Sequence, residues 1–561
     1  MPDVQKEVKK MDPLPKLCGT DIELGNFMLG IDKWGGTCDI ASHILLREIQ
    51  GVSPSISAQS DEFECGCLHC RSSEEQGKNG SVHPSQDWGR KYLKSNGGCA
   101  YIDLNHLELC TPEVVSAFDH VASWNAMLRI AQEALLSANA KLGRNVRIQA
   151  LVNNSDGLGH SYGSHLNFLI TRETWENIFN RKLHYMLYLA AYQVSSIIFT
   201  GLGKAGSENG MPHVDFQISQ RADFFEQLTG VQTTFNRPLV NGRDQALCGS
   251  GKKRNSGDSV AERMARLHII FFDNTTLMAA NLLRVGVTQI ILSMLEHGRI
   301  NPNLLLDDPL EAVVSWSHDP SLRAKAKMAS GQRLTAVELQ FLFLNEAKRF
   351  QESTDCSRWV PRAGEILALW EDTLDKLQTR DFPALARRLD WVLKMTILNR
   401  FMESQPRLNW RSPQIKHLDH IYSSLDPYEG LFWVYAQNGF MERFVDESRI
   451  DWFVHNPPED TRAWTRAMIL RRVLPESLES MDWDSIRIKT RRKGSWSRYA
   501  ELDMSDPTGF TREAVGHVFR EESALEDILE CLATNPADDT ADEQKETGVA
   551  GNCSLPARQI M

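Results

Sequence analysis

The sequence lacks a basic excess. Its 62 Lys and Arg face 73 Asp and Glu, a formal net charge of −11. That argues against non-specific nucleic-acid binding, which rests on surplus Lys and Arg. A long membrane-spanning run is not evident either. The most apolar stretch, Tyr185 to Phe199, contains Gln193, Ser195 and Ser196. It falls short of the ~20 residues that a helix needs to cross a bilayer, so a buried helix is expected there. The first residues, MPDVQKEVKKMDPLPK, have no apolar core of the signal-peptide kind. Eleven scattered cysteines are an odd number. They fit a reducing cytoplasm better than a disulfide framework. No internal repeat is evident.

What is present concentrates in GCAYIDLNHLELCTPE, Gly98 to Glu113. Strand composition (Ala100, Tyr101, Ile102, Leu104) is interleaved with Asp103, His106 and Glu108. Thr111, Pro112 and Glu113 then offer an N-cap, a first-turn proline and a first-turn acid, so a helix is expected from Pro112 to about Leu142. Carboxylates are costly to bury unless paired or metal-bound. The strand is therefore either an exposed edge or the wall of a charged site. Simple alternation puts Tyr101 and Asp103 on one face and Glu108 on the other. A shared site requires a break in register, and a β-bulge is the expected device.

Upstream, LCGTDIELG (Leu17 to Gly25) reads as a strand with Asp21 and Glu23 on one face. Two like charges there suit a solvated surface or a hard cation such as Mg²⁺. A short helix is expected over Ile40 to Ile49. Residues from about 50 to 97 read as a long mobile loop. Within it, Cys65, Cys67, His69 and Cys70 of CGCLHC are either a compact zinc site or free thiols. Arg147 to Asn153 and His165 to Ile170 read as strands around NNSDGLGHSYGSH, whose glycines suit close approach to phosphate. His165 by itself reads as a structural histidine or a ligand. Residues 214–223 and 266–273 alternate like strands and carry Arg221, Arg266 and His268, with Arg243 between them. These arginines suit nucleotide phosphates or structural Arg–Asp pairs. Helices dominate from Leu277 to about Met402. Residues 533–561 are acidic and poor in large apolar groups, and disorder is expected.

In order along the chain, GTDIELG, YIDLNHLELCTPE, NNSDGLGHSYGSH, FTGLG, QISQRADFFE, TTFNRPLVNGRD, RLHIIFFD and PPEDTRA resemble the Pup ligase and Pup deamidase/depupylase family. The resemblance implies an α+β, glutamine-synthetase-like fold: a curved antiparallel sheet cradle backed by helices. It implies a flexible N-terminus over 1–16, a catalytic domain over 17–429 and a small C-terminal domain over 430–532. ATP and Mg²⁺ are the implied cofactors. The implied partners are a Pup-like protein modifier and its lysine conjugates, with the proteasome system by association. Asp103 would be the catalytic residue, as base or as nucleophile. Asp21, Tyr101 and Glu108 would hold the metal, with Glu23 and His165 close by. Thr111 and Trp483 would contact the nucleotide, and Arg221, Arg243 and Arg266 would meet phosphate or substrate.

Within that family, GTxxE at Gly19, the placement of His106 three residues after Asp103, the room for a long loop, and QRADFFE resemble the deamidase branch. This favours hydrolysis of a Pup carboxamide or isopeptide bond. The alternatives are a ligase of the same fold and a non-catalytic homologue that only binds the modifier. Departures from the family pattern are Asp21 for Glu, Cys99 for Arg, Leu166 for Glu, and Gln245-Ala246-Leu247 for Glu-Pro-His.

Overall fold

Alternation of apolar and polar residues organises the central sheet. The computed structural model describes residues 13–31, 37–55, 88–244, 247–248, 263–490 and 498–534. Its main strands are β1 (Cys18–Leu29), β2 (Trp88–Tyr92), β3 (Cys99–Asp103), β4 (His106–Cys110), β5 (Arg147–Leu151), β6 (Ser164–Thr171) and β7 (Met264–Ile269). They run antiparallel in the order β7-β6-β1-β4-β3-β2, and β5 pairs with the far half of β1. Ile22, Leu24, Ala100, Ile102, Leu107 and Leu109 bury one face. Helices α1 (Thr37–Glu48) and α2 (Ala117–Lys141) cover it with Leu45, Leu46, Trp124, Met127 and Leu135. Each Leu or Ile so buried contributes about 1.5–3 kcal/mol. That row of apolar side chains turns Asp21, Glu23, Asp103 and Glu108 to the opposite face.

A second core lies beneath β6 and β7. Leu166, Phe168, Leu267 and Ile269 meet α3 (Leu183–Thr200) and α4 (Met278–Glu296). The run at Tyr185–Phe199 is a buried helix, as its polar residues predict. Among the described residues only α4 is long and apolar enough to cross a membrane, and 94% of that window is buried inside the protein.

Three local readings change. The helix begins at Ala117, capped by Ser116, and not at Pro112. Residues 111–114 stay extended because Val114 exchanges backbone hydrogen bonds with Cys18, at 2.8 and 3.0 Å, and Thr111 donates to the Thr20 carbonyl. Of 214–223, only Phe216–Gln217 forms a strand. There the alternating polar side chains are buried and hydrogen-bonded inward: Gln217 Nε2 donates to Asp223 and Ser219 Oγ donates to Asp273. Near the N-terminus, Lys16 is fully buried in an ion pair with Glu296 at 2.6 Å, so the chain is anchored before residue 17.

The long loop has ordered ends: Val52 bridges Tyr92, and β2 forms the sheet edge. The CGCLHC cysteines, Gln245 and Ala246, and the tail from residue 535 lie outside the described residues. At the C-terminal end, a three-stranded antiparallel sheet (Leu478–Met481, Ser485–Thr490, Arg498–Asp503) and the helix Leu525–Thr534 share a core with Trp464 and Leu470. That core continues onto Tyr92, Cys99 and Cys110 of the main sheet. Helix Glu447–His455, by contrast, packs Ile450 and Phe453 into the larger helical core.

Candidate active site

Residues directly opposite each other in an antiparallel pair share a face. The register therefore lays out the wall. Asp21 faces Cys110 on one side and His165 on the other. Cys110 in turn faces Cys99. In the next row Glu23 faces Glu108, which faces Tyr101. In the last, Asp103 faces His106.

Asp103 and Glu108 thus share a face without a bulge. The expected break in register is instead a two-residue hairpin turn. Leu104 and Asn105 take φ of 43° and 77°, the left-handed conformations that a type I′ turn needs. The sheet's register irregularity in this region lies in β2, between Trp88 and Lys91.

The side chains converge. Oxygens of Glu23, Asp103 and Glu108 lie within 4.8 Å of one another, and so do ligand atoms of Asp21, Glu108 and Cys110. Tyr101 Oη donates to Glu108 Oε1 at 2.6 Å, and the Gly163 amide donates to Glu23 Oε2 at 2.6 Å. Asn167 Nδ2 donates to Asp21 Oδ2 at 3.1 Å. His165 Nε2 stands 4.0 Å from Glu23 Oε1. His106 Nδ1 meets the Leu24 carbonyl at 2.9 Å, which assigns the proton to Nδ1.

Burial pushes the Glu108 carboxyl well above its usual range, and the charges of Asp103, Asp21 and Glu23 push it further. Burial also opposes ionisation of Glu23, but His165, His106 and the Gly163 amide outweigh it and hold that carboxyl low. Burial lowers His165, with Glu23 pulling the other way. Four carboxylates on one wall, two from β1 and one each from β4 and β3, suit a hard divalent cation.

Two glycines make room. A Cβ at Gly163 would stand 1.8 Å from Arg221 Nη1, and one at Gly25 would stand 2.2 Å from Tyr162 Oη. Arg221 is fully buried, and Glu23 and Asp273 counter the effect of its burial.

Beside the wall lies an open cavity. Asp21, Thr111, Arg266, Trp483, Arg462 and Asn167 are among its lining residues. Thr111 Oγ1 accepts from the Thr20 amide at 2.9 Å, and Arg266 Nη1 donates to Asn167 Oδ1 at 2.8 Å. Three of the five residues expected at a nucleotide, Thr111, Arg266 and Trp483, meet here. Arg221 and Arg243 do not line it. Arg243 is placed where Asp103 offsets the effect of its burial. Nor does the 153–165 loop bring Gly157 or Gly159 to the cavity. Its tip is exposed at Leu158, and Ser155 and the Gly159 amide bind Glu208 instead.

Sequence reasoning missed the clamp beside this cavity. Glu113 accepts from Arg462 Nε at 2.8 Å and from Arg466 Nη2 at 2.7 Å. The Arg466 guanidinium sits 4.6 Å from the centre of the Trp483 ring. Arg462 and Arg466 are four residues apart, one helical turn, and that spacing opposite an acid was the available signal. The departures also acquire locations. Leu166 points into the helical core, away from His165. Cys99 receives Arg90 Nη1 at 3.6 Å, and the same guanidinium lies over Tyr101 at 4.1 Å.

An antiparallel cradle with carboxylates on its polar face and a cavity alongside defines an α+β, glutamine-synthetase-like fold. Residues 46–487 match the family model for Pup-ligase protein, and the chain belongs to that family. A depupylase of Acidothermus cellulolyticus is 34% identical over 425 residues, 76% of this chain and 80% of that one. A Pup–protein ligase of Kribbella flavida is 29% identical over 410 residues, 72% and 85% of the respective chains. The solved Pup ligase PafA in complex with Pup has the same fold: TM-score 0.70, 20% identity, 92% of this chain and 91% of that one.

Proposed function

We propose that this protein is an ATP- and Mg²⁺-dependent hydrolase that removes a Pup-like modifier from lysine side chains, or deamidates the modifier's C-terminal glutamine. The carrying observation is Asp103: it sits at the mouth of the hairpin, within 4.8 Å of Glu23 and Glu108, and offsets the burial of Arg243. The greater identity to the depupylase, 34% against 29% for the ligase, supports hydrolysis over ligation. Seven free cysteines among the described residues fit a cytoplasmic location.

The wall and the cavity divide the work. Thr111, Arg266, Arg462 and Trp483 would hold ATP, the tryptophan against the base and the guanidiniums toward phosphate. Glu23, Glu108 and Asp21 would hold Mg²⁺, which supplies positive charge at a polarised carbonyl oxygen. Tyr101 keeps the Glu108 carboxylate in place through its 2.6 Å hydrogen bond. Asp103 then takes the proton of an attacking water, or attacks the acyl carbon itself. Arg243 is positioned to offset the charge that Asp103 carries.

The test is release of free modifier from a Pup–lysine conjugate with ATP and Mg²⁺. Asp103→Asn should abolish release while leaving ATP affinity unchanged. No release by the unsubstituted protein would overturn the reading. ADP formed in step with new conjugate would replace it with the ligase reading.

A further inference from the structure

We infer that Arg90, delivered by a bulge in the edge strand, is a positioning residue for the metal site: it fixes the Tyr101 ring and, through it, the Glu108 carboxylate, a role that rests on the metal reading above. The pairs Trp88↔Ile102, Lys91↔Ala100 and Tyr92↔Cys99 set two residues of β2, Gly89 and Arg90, against one residue of β3, Tyr101. Two against one is a β-bulge, and Gly89 takes a φ of 70°, the left-handed first position of the glycine type. A Cβ on Gly89 would also stand 3.1 Å from Leu46 Cδ2 of α1. Without the bulge, the pairing at Trp88 would run on to put Arg90 opposite Ala100, in the apolar face. With it, Arg90 lies two residues before Tyr92, the partner of Cys99, and shares the polar face.

The contacts follow that placement. The Arg90 guanidinium carbon stands 4.1 Å from the centre of the Tyr101 ring, and Nη1 reaches Cys99 Sγ at 3.6 Å. A guanidinium is attracted to the negative face of an aromatic ring. Tyr101 also packs against the core shared with the C-terminal sheet, so apolar contacts and the cation hold the ring together. Its Oη then donates to Glu108 Oε1 at 2.6 Å. Groups that orient a ligating carboxylate typically change metal affinity about 10- to 100-fold when removed. The pattern that this chain resembles has Arg at position 99. Here the short Cys99 side chain lies against a guanidinium that comes from β2, across the same strand pair. A cation absent from β3 is thus supplied by its neighbour.

The full chain is titrated with Mn²⁺, a probe for the oxygen-donor site, and binding is read by electron paramagnetic resonance without nucleotide or modifier. Arg90→Ala should weaken Mn²⁺ binding about 10-fold, with circular dichroism unchanged. Arg90→Gln, which keeps the length of the side chain without its charge, should behave alike. Tyr101→Phe keeps the ring, loses Oη and should weaken binding as much. Arg90→Ala added to Tyr101→Phe should cost nothing further, because Arg90 acts through that hydroxyl. The double change Arg90→Ala, Cys99→Arg returns a guanidinium from β3 and should restore binding. Binding undiminished by Arg90→Ala and Arg90→Gln, additive losses in the Arg90–Tyr101 cycle, or no recovery with Cys99→Arg overturns the role of Arg90 and leaves the metal reading in place. Failure of the unsubstituted protein to bind Mn²⁺ overturns both.

Discussion

Replacing Glu113 by Gln removes one charge from the buried clamp between the main sheet and the C-terminal sheet. The Glu113 carboxyl is held down to about 2 against an ordinary 4.5; burial opposes this, but the Arg466 and Arg462 charges and hydrogen bonds prevail. A folded-state pKa below the unfolded one contributes stability above the unfolded value, and that stability is lost as pH falls through the folded one. Holding the carboxyl down to about 2 corresponds to about 3 kcal/mol at pH 7, falling to about 1 kcal/mol by pH 3. Breaking a buried pair typically costs about 3–5 kcal/mol, so two independent routes agree. Urea unfolding of the unsubstituted protein and Glu113→Gln, at pH 7 and pH 3, reads the difference directly. The gap should be about 3 kcal/mol at pH 7 and should narrow toward pH 3. A gap under about 1 kcal/mol at both pH values would refute the reasoning, since an exposed ion pair is worth no more than that.

The same clamp seats Trp483, so Trp483→Ala should weaken ATP binding by about 1–3 kcal/mol in calorimetry, the value of a base stacked on an aromatic ring. Leu104 and Asn105 occupy left-handed conformations that favour Asn-Gly. The double change Leu104→Asn, Asn105→Gly should raise unfolding stability by about 1 kcal/mol and leave activity intact; a loss of stability would argue against the hairpin. Leu107→Ala, on the buried face beneath Glu108, should cost about 2–5 kcal/mol in denaturant unfolding. Gly163→Ala should displace Arg221 and lower kcat/KM sharply, because no space exists for a methyl group there; an unchanged kcat/KM would remove Arg221 from the site.

The strands at Leu17–Gly25 and Gly98–Cys110 were legible because alternation is a local signal: Ile22 and Leu24 had to face a core, so Asp21 and Glu23 had to face away. So was the family, through motifs in order along the chain. Pairing of Asp103 with Glu108 was only half legible. Alternation assumes one continuous strand, and nothing in Leu-Asn resembles the usual Asn-Gly or Asp-Gly turn pair. The stretch 214–223, strand only at Phe216–Gln217, misled for the opposite reason, since Gln217 and Ser219 alternate while bonding inward to Asp223 and Asp273.

By itself, then, the sequence determined the charged wall, its apolar backing, and the identity of the carboxylates on it, because each follows from neighbours along the chain. Only the tertiary structure decided which of them meet. The hairpin brings Asp103 to Glu108. Strand order places His165 and Cys110 on either side of Asp21. A clamp between residues more than three hundred apart in the chain carries Trp483 to the cavity. Those are contacts across strands and between the two sheets, set by register and packing, and no local pattern records them.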